Sequence, residues 1–134
     1  GTGAAGGLGF AFLSYTNAVL ESGVKIILEE TKLESFIKNA DFVITGEGQL
    51  DGQTVMGKAP IGVAEIAKKY EKKVLAFGGC VAEDATLCNQ HGIDAFFPIL
   101  RTVTTLKEAM DFNHAKENLS AAVEQVFRLI QSFE

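Results

Sequence analysis

The densest chemistry in the sequence lies between Thr45 and Pro60, which reads Gly46-Glu47-Gly48-Gln49-Leu50-Asp51-Gly52-Gln53-Thr54-Val55-Met56-Gly57-Lys58-Ala59-Pro60. Two carboxylates, Glu47 and Asp51, and one ammonium, Lys58, sit among Gly46, Gly48, Gly52 and Gly57. Glycine reaches positive φ without steric cost and lets backbone amides come close to an anion. Lys58 adds a mobile positive charge, and Pro60 marks the first turn of a helix whose positive dipole end points the same way. Such a loop can hold a phosphate. Glu47 or Asp51 could then bind Mg²⁺ or take a proton from an attacking hydroxyl. Equally, both carboxylates could accept loop amides and build a hydrogen-bonded turn. Spacing alone does not separate the two.

Other candidates are weaker. Gly52-x-x-x-x-Gly57-Lys58 copies the spacing of a nucleotide-binding phosphate loop, but Ala59 stands where a Ser or Thr hydroxyl would hold Mg²⁺. Gly1-x-Gly3-x-x-Gly6, followed by Gly7, matches the dinucleotide fingerprint, but no strand precedes it. Close helix packing or a phosphate contact explains it better than NAD. Cys80 and Cys88 lack metal or redox spacing and are expected as reduced thiols, with no His–Asp pair evident around Cys80. His91 and His114 are expected on helix surfaces. Asn118-Leu119-Ser120 spells a glycosylation sequon inside a helical pattern and carries no weight.

The elements that must position these residues follow from the apolar pattern. Gly1–Gly9 reads as a loop running into an apolar helix through Leu8, Phe10, Phe12, Leu13 and Tyr15. Helical spacing recurs over Val24, Ile27, Leu28 and Thr31, and again over Leu33, Phe36 and Ile37. Phe42–Thr45, Val74–Phe77 and Ala95–Ile99 are short apolar runs of the kind found in strands buried on both faces. Helices are expected from Ile61 to Tyr70 and from Glu83 to His91. Thr105 and Glu108 match a capping box, opening a helical stretch to Phe133 with a break at 111–113. Its stripe of Leu119, Ala122, Val123, Val126, Phe127 and Ile130 is expected to pack along the sheet. Strand–loop–helix alternation predicts an α/β fold, three layers with a mostly parallel sheet. Ligands then bind at the carboxyl edge, at the loops 46–59, 78–83 and 100–104.

Composition sets the bounds. The 134 residues fit one domain, 47% are hydrophobic and 22% charged, and 12 basic against 17 acidic residues give −5. No basic stripe exists to meet nucleic acid, and no apolar run is long enough for a membrane span. A cytoplasmic setting is the expectation. Three strands are few for a sheet, and the glycine-rich opening has no strand before it, so the chain is expected to be part of a larger fold. An incomplete sheet exposes edges and apolar faces, so self-association is expected.

Thr45-Gly46-Glu47-Gly48, Asp51, Gln53-Thr54 and Gly57-Lys58-Ala59-Pro60-Ile61-Gly62-Val63-Ala64 closely resemble the bacterial type I glycerate kinase family. The opening Gly1-Thr2-Gly3-Ala4-Ala5-Gly6-Gly7-Leu8-Gly9, the run Ala40–Thr45 and the run Gly92–Ala95 fit as well. The resemblance extends over essentially the whole chain. It implies an ATP- and Mg²⁺-dependent kinase that phosphorylates D-glycerate, built from two α/β domains with the substrates between them. This chain corresponds to its C-terminal portion, and the N-terminal portion with its Asp-Ser-Phe-Lys motif is absent, so the chain alone is expected to be inactive. Our assignments place Lys58 on a phosphate or the glycerate carboxylate, Asp51 or Glu47 on the hydroxyl or Mg²⁺, and Gln53 and Thr54 on the substrate. Gly46, Gly48 and Gly57 would line the cleft with Gly3, Gly6 and Gly7. The alternatives are a non-catalytic anion- or nucleotide-binding module and a dinucleotide-binding domain.

Overall fold

Val74-Leu75-Ala76-Phe77 is apolar at every position, which a strand sustains only when both of its faces are covered. The computed structural model, which describes residues 4–133, places this run in the central strand of a three-stranded parallel sheet. In chain order the elements are α1 (Ala4–Tyr15), α2 (Gly23–Glu30), α3 (Leu33–Ile37), β1 (Phe42–Leu50), a 3₁₀ turn (Thr54–Met56) and α4 (Ala59–Lys69). They continue with β2 (Lys73–Val81), a 3₁₀ segment (Glu83–His91), β3 (Ala95–Pro98), α5 (Leu106–Ala109) and α6 (Phe112–Gln131). The strand order is β1-β2-β3, with Val43 opposite Val74 and Leu75 opposite Ala95.

The two faces of β2 build two cores. Val74 and Ala76 join Ile61, Ala64 and Ala67 of α4 and Ala85 and Cys88 of the second 3₁₀ segment on one side. Leu75 and Phe77 meet Ala122, Val123, Val126 and Ile130 of α6 on the other. Phe42 packs edge-on against Phe127 at 5.8 Å between ring centroids. The fold is therefore three-layered α/β/α, as the sequence pattern predicts. Leu119 extends the α6 stripe but stays 43% exposed.

Local chemistry sets the helix limits. Thr105 and Glu108 form the reciprocal capping box of α5. The expected break falls where Asp111 caps α6, its carboxylate accepting the amides of Asn113 and His114 at 3.1 Å each. Asp94 ties the layers together by accepting the Val74 amide at 2.7 Å and the Lys68 ammonium of α4. The expected short helix Glu83–His91 is of the 3₁₀ type, and it ends at Gly92 with φ 94°.

One boundary differs where it matters. The sequence pattern ends the first strand at Thr45, but β1 continues for five more residues to Leu50. Gly46, Gly48 and Gly52 are accordingly not in the left-handed region; within the loop only Gly57 is, with φ 95°. The reason for Gly46 is close approach. A Cβ there would lie 2.6 Å from the Phe77 carbonyl oxygen of the neighbouring strand. The β1–β2 ladder thus extends through residues whose polar and glycine-rich types look like loop.

Candidate functional site

The turn after β1 is organised by one carboxylate oxygen. Asp51 Oδ1 accepts from the amides of Gln53 and Thr54 at 3.0 Å, from Thr54 Oγ1 at 3.2 Å and from Lys58 Nζ at 3.2 Å. Thr54 Oγ1 in turn accepts the Asp51 amide at 3.1 Å. Thr54 is fully buried, so its hydroxyl is spent inside the turn. Lys58 sits at the N-cap of α4, with Pro60 in the first turn behind it. The helix start, the ammonium and the carboxylate therefore share one spot at the carboxyl end of β1. Burial alone would raise the Asp51 pKa, but the hydrogen bond and charge of Lys58, with the Thr54 bonds, outweigh it and hold the carboxyl below its ordinary value.

This geometry bears on both readings of the loop. The amides of Gln53 and Thr54 serve the Asp51 carboxylate, so they do not form the open cradle of a phosphate loop. What remains outward is the Lys58 side chain, one-third exposed, together with the exposed Gln53 side chain. Asp51 Oδ2 has a long contact with Gln49 Nε2 at 3.4 Å.

Glu47 is placed differently. It lies on β1 between the exposed Gly46 and Gly48, and its Oε2 is shut from water with no hydrogen-bond partner. A carboxylate oxygen in that condition favours a cation or a proton donor. Among the described residues no set of three or more His, Cys, Asp or Glu side chains could hold a metal.

Asp84 belongs to the same neighbourhood, and sequence reasoning missed it. Its carboxylate lies beside Gly52, at the place a Cβ on that residue would meet first. Burial pushes the Cys88 thiol up, and the charges of Asp51, Asp84 and Glu47 push it the same way; the thiol donates to the Asp51 carbonyl oxygen at 3.9 Å. The only signal for Asp84 in the sequence is its position just after the second carboxyl-edge loop.

Other expected participants are not assembled here. Gly6 and Gly7 have φ 69° and 86° in the first turn of α1, and Gly3 lies outside the described residues. Among the described residues, the hydrogen bonds of the segment around α1 reach no further than Thr16 and Ala18, and none joins it to the 46–58 segment. His91 and His114 lie on the surface, beside the Leu87 carbonyl and Asp111. Cys80 is exposed at the end of β2, opposite Gln49. A cavity of about 320 Å³ between α2 and α4 reaches Gly57 but is not lined by Glu47, Asp51 or Lys58.

Comparison with known proteins adds the context. The model of the glycerate kinase family matches residues 1–131. The chain is 45% identical over 126 residues to the glycerate kinase of Bacillus subtilis (strain 168), covering 94% of this chain and 32% of the relative. It is 45% identical over 122 residues to the glycerate 2-kinase of Escherichia coli (strain K12), covering 91% of this chain and 32% of the relative. A crystal structure of a glycerate kinase 2 from Salmonella typhimurium LT2 superposes with TM-score 0.71 at 38% identity, covering 98% of this chain and 32% of that one. The chain spans about a third of the length of the curated relatives it matches.

Proposed function

The chain belongs to the glycerate kinase family, and from that premise we propose that it is the C-terminal portion of a cytoplasmic enzyme that transfers a phosphoryl group from ATP to D-glycerate. The observation that carries this reading is Lys58, held at the start of α4 by Asp51 at 3.2 Å and still one-third exposed. Phosphoryl transfer needs anion clamps and an oriented hydroxyl far more than covalent chemistry. A pre-positioned ammonium at a helix N-terminus supplies such a clamp.

The roles divide by how each group is already engaged. Lys58 neutralises charge on the transferred phosphoryl group or on the glycerate carboxylate. Asp51 fixes the Lys58 ammonium and keeps Oδ2 available toward the substrate hydroxyl or Mg²⁺. Glu47, with an unpartnered Oε2, takes the hydroxyl proton or ligates the metal. Gln53 orients substrate from its exposed position. Thr54 holds the turn that presents all of them. Gly46, Gly48 and Gly57 keep the cleft edge free of side chains, and Gly3, Gly6 and Gly7 line it in the whole protein. Mg²⁺ bound with ATP would shield the phosphate charges during transfer.

The site as it stands is one wall. In-line transfer requires donor, acceptor and hydroxyl held together, and misplacement by about 1 Å costs roughly 10²-fold. The isolated chain is therefore inactive, retains weak anion binding at Lys58, and self-associates through its exposed apolar surface. Titration calorimetry tests the reading: heat with ATP·Mg²⁺ or D-glycerate supports it, heat with NAD alone points to a dinucleotide domain, and binding that survives Lys58→Ala removes Lys58 from the site.

A further inference from the structure

The two oxygens of the Asp51 carboxylate are engaged very differently. Oδ1 accepts two amides, the Thr54 hydroxyl and Lys58 Nζ. Oδ2 meets only the Gln49 carboxamide among the described residues, with Nε2 donating across 3.4 Å, beyond the about 2.9 Å typical of such a bond. Gln49 is exposed, two residues along β1 from Glu47, and its ladder partner Cys80 is exposed as well. A carboxamide offers two N–H donors and a carbonyl acceptor. One long contact leaves most of that capacity unspent, beside the one oxygen of Asp51 that the turn does not use.

This arrangement suits a particular kind of acceptor. Lys58, on the far oxygen, presents a positive charge, and Oδ2 with the Gln49 carboxamide presents two hydrogen-bonding groups side by side. Glycerate carries two hydroxyls on adjacent carbons beside its carboxylate. With the reacting hydroxyl at Oδ2, its neighbour comes within reach of the Gln49 carboxamide, which can donate to it and accept from it. Residue type alone gives no hint of this, because Gln49 sits in a strand whose polar stretch reads as loop.

We propose that Gln49 is a specificity-determining residue, whose carboxamide holds the hydroxyl of D-glycerate that does not react while Asp51 Oδ2 meets the one that does. An acid lacking that second hydroxyl leaves the carboxamide without its partner and loses one hydrogen bond, about 10-fold in affinity. The proposal rests on the kinase reading, and its test separates the two.

D-lactate and 3-hydroxypropanoate each lack one of the two hydroxyls of D-glycerate, so one of them keeps the hydroxyl assigned to Gln49 and the other does not. Both are measured as competitive inhibitors of D-glycerate phosphorylation by the full-length enzyme, with and without Gln49→Leu, a change of similar volume at an exposed position. Gln49→Leu should raise KM for D-glycerate about 10-fold with a much smaller change in kcat, as for a group that binds ground state and transition state alike. It should weaken inhibition by one of the two acids about 10-fold and leave the other unchanged. Equal weakening of both would mean that Gln49 serves only to hold Asp51, and would overturn the proposal. So would no weakening of either, or an enzyme that neither acid inhibits. If the full-length enzyme does not phosphorylate D-glycerate at all, the kinase reading fails and takes the proposal with it, whereas normal turnover with the wrong inhibition pattern removes Gln49 alone.

Discussion

Asp51 Oδ1 and Lys58 Nζ lie 3.2 Å apart across a turn that separates them by seven positions, and the same oxygen also accepts two amides and the hydroxyl of the buried Thr54. One carboxylate thus folds the turn and aims the cation. The two readings that residue types alone leave open, a structural cap and a charged site, describe the same atom.

In the full-length enzyme, Lys58→Ala should lower kcat/KM by about 10²-fold or more while the fold survives, on the scale of losing one preorganised electrostatic contact. Steady-state kinetics and circular dichroism together check this. Unchanged turnover takes Lys58 out of the site.

Asp51→Asn keeps an oxygen where Oδ1 accepts its amides but removes the charge that fixes Lys58. Turnover of the full-length enzyme should nearly vanish while the melting temperature changes little. A large loss of stability with normal turnover would make Asp51 a cap and nothing more.

Gly46→Ala places a Cβ 2.6 Å from the Phe77 carbonyl oxygen. The strands must separate, and the cost should be about 1–3 kcal/mol, the range for overpacking. Urea unfolding measures it, and a variant as stable as the parent would refute the β1–β2 register at Gly46.

Glu108 accepts the Thr105 amide and the Thr105 and Thr104 hydroxyls, which hold its carboxyl at about 2, well below the ordinary 4.5. A depressed folded pKa gives stability that is complete above the unfolded value and lost as pH falls through the folded one. Glu108→Gln should therefore flatten the fall in melting temperature between about pH 4.5 and pH 2. Asp51, also depressed, adds the same sign below its ordinary 3.8.

Much of this was legible in the residues. The apolar run of β2, the α6 stripe and the Thr105–Glu108 box are local patterns, and local patterns survive folding. The end of β1 was not legible, because Gly46-Glu47-Gly48-Gln49 is extended only through its ladder with β2. Asp84 escaped for a similar reason: its contact with Gly52 spans 32 positions and leaves no periodic trace. The types at the site, Glu47, Asp51 and Lys58, could be read, but not that Asp51 Oδ1 would be saturated while Glu47 Oε2 stays unpartnered.

On the proposed function, this chain carries one wall of a phosphoryl-transfer site and not the whole of it. Its most direct test is D-glycerate-dependent ADP release, measured for the chain alone and for the chain joined to the unmatched two thirds of the Bacillus subtilis relative. No release above background is expected from the chain alone, and release from the joined protein should fall about 10²-fold with Lys58→Ala. Robust turnover by the 134-residue chain alone would contradict it.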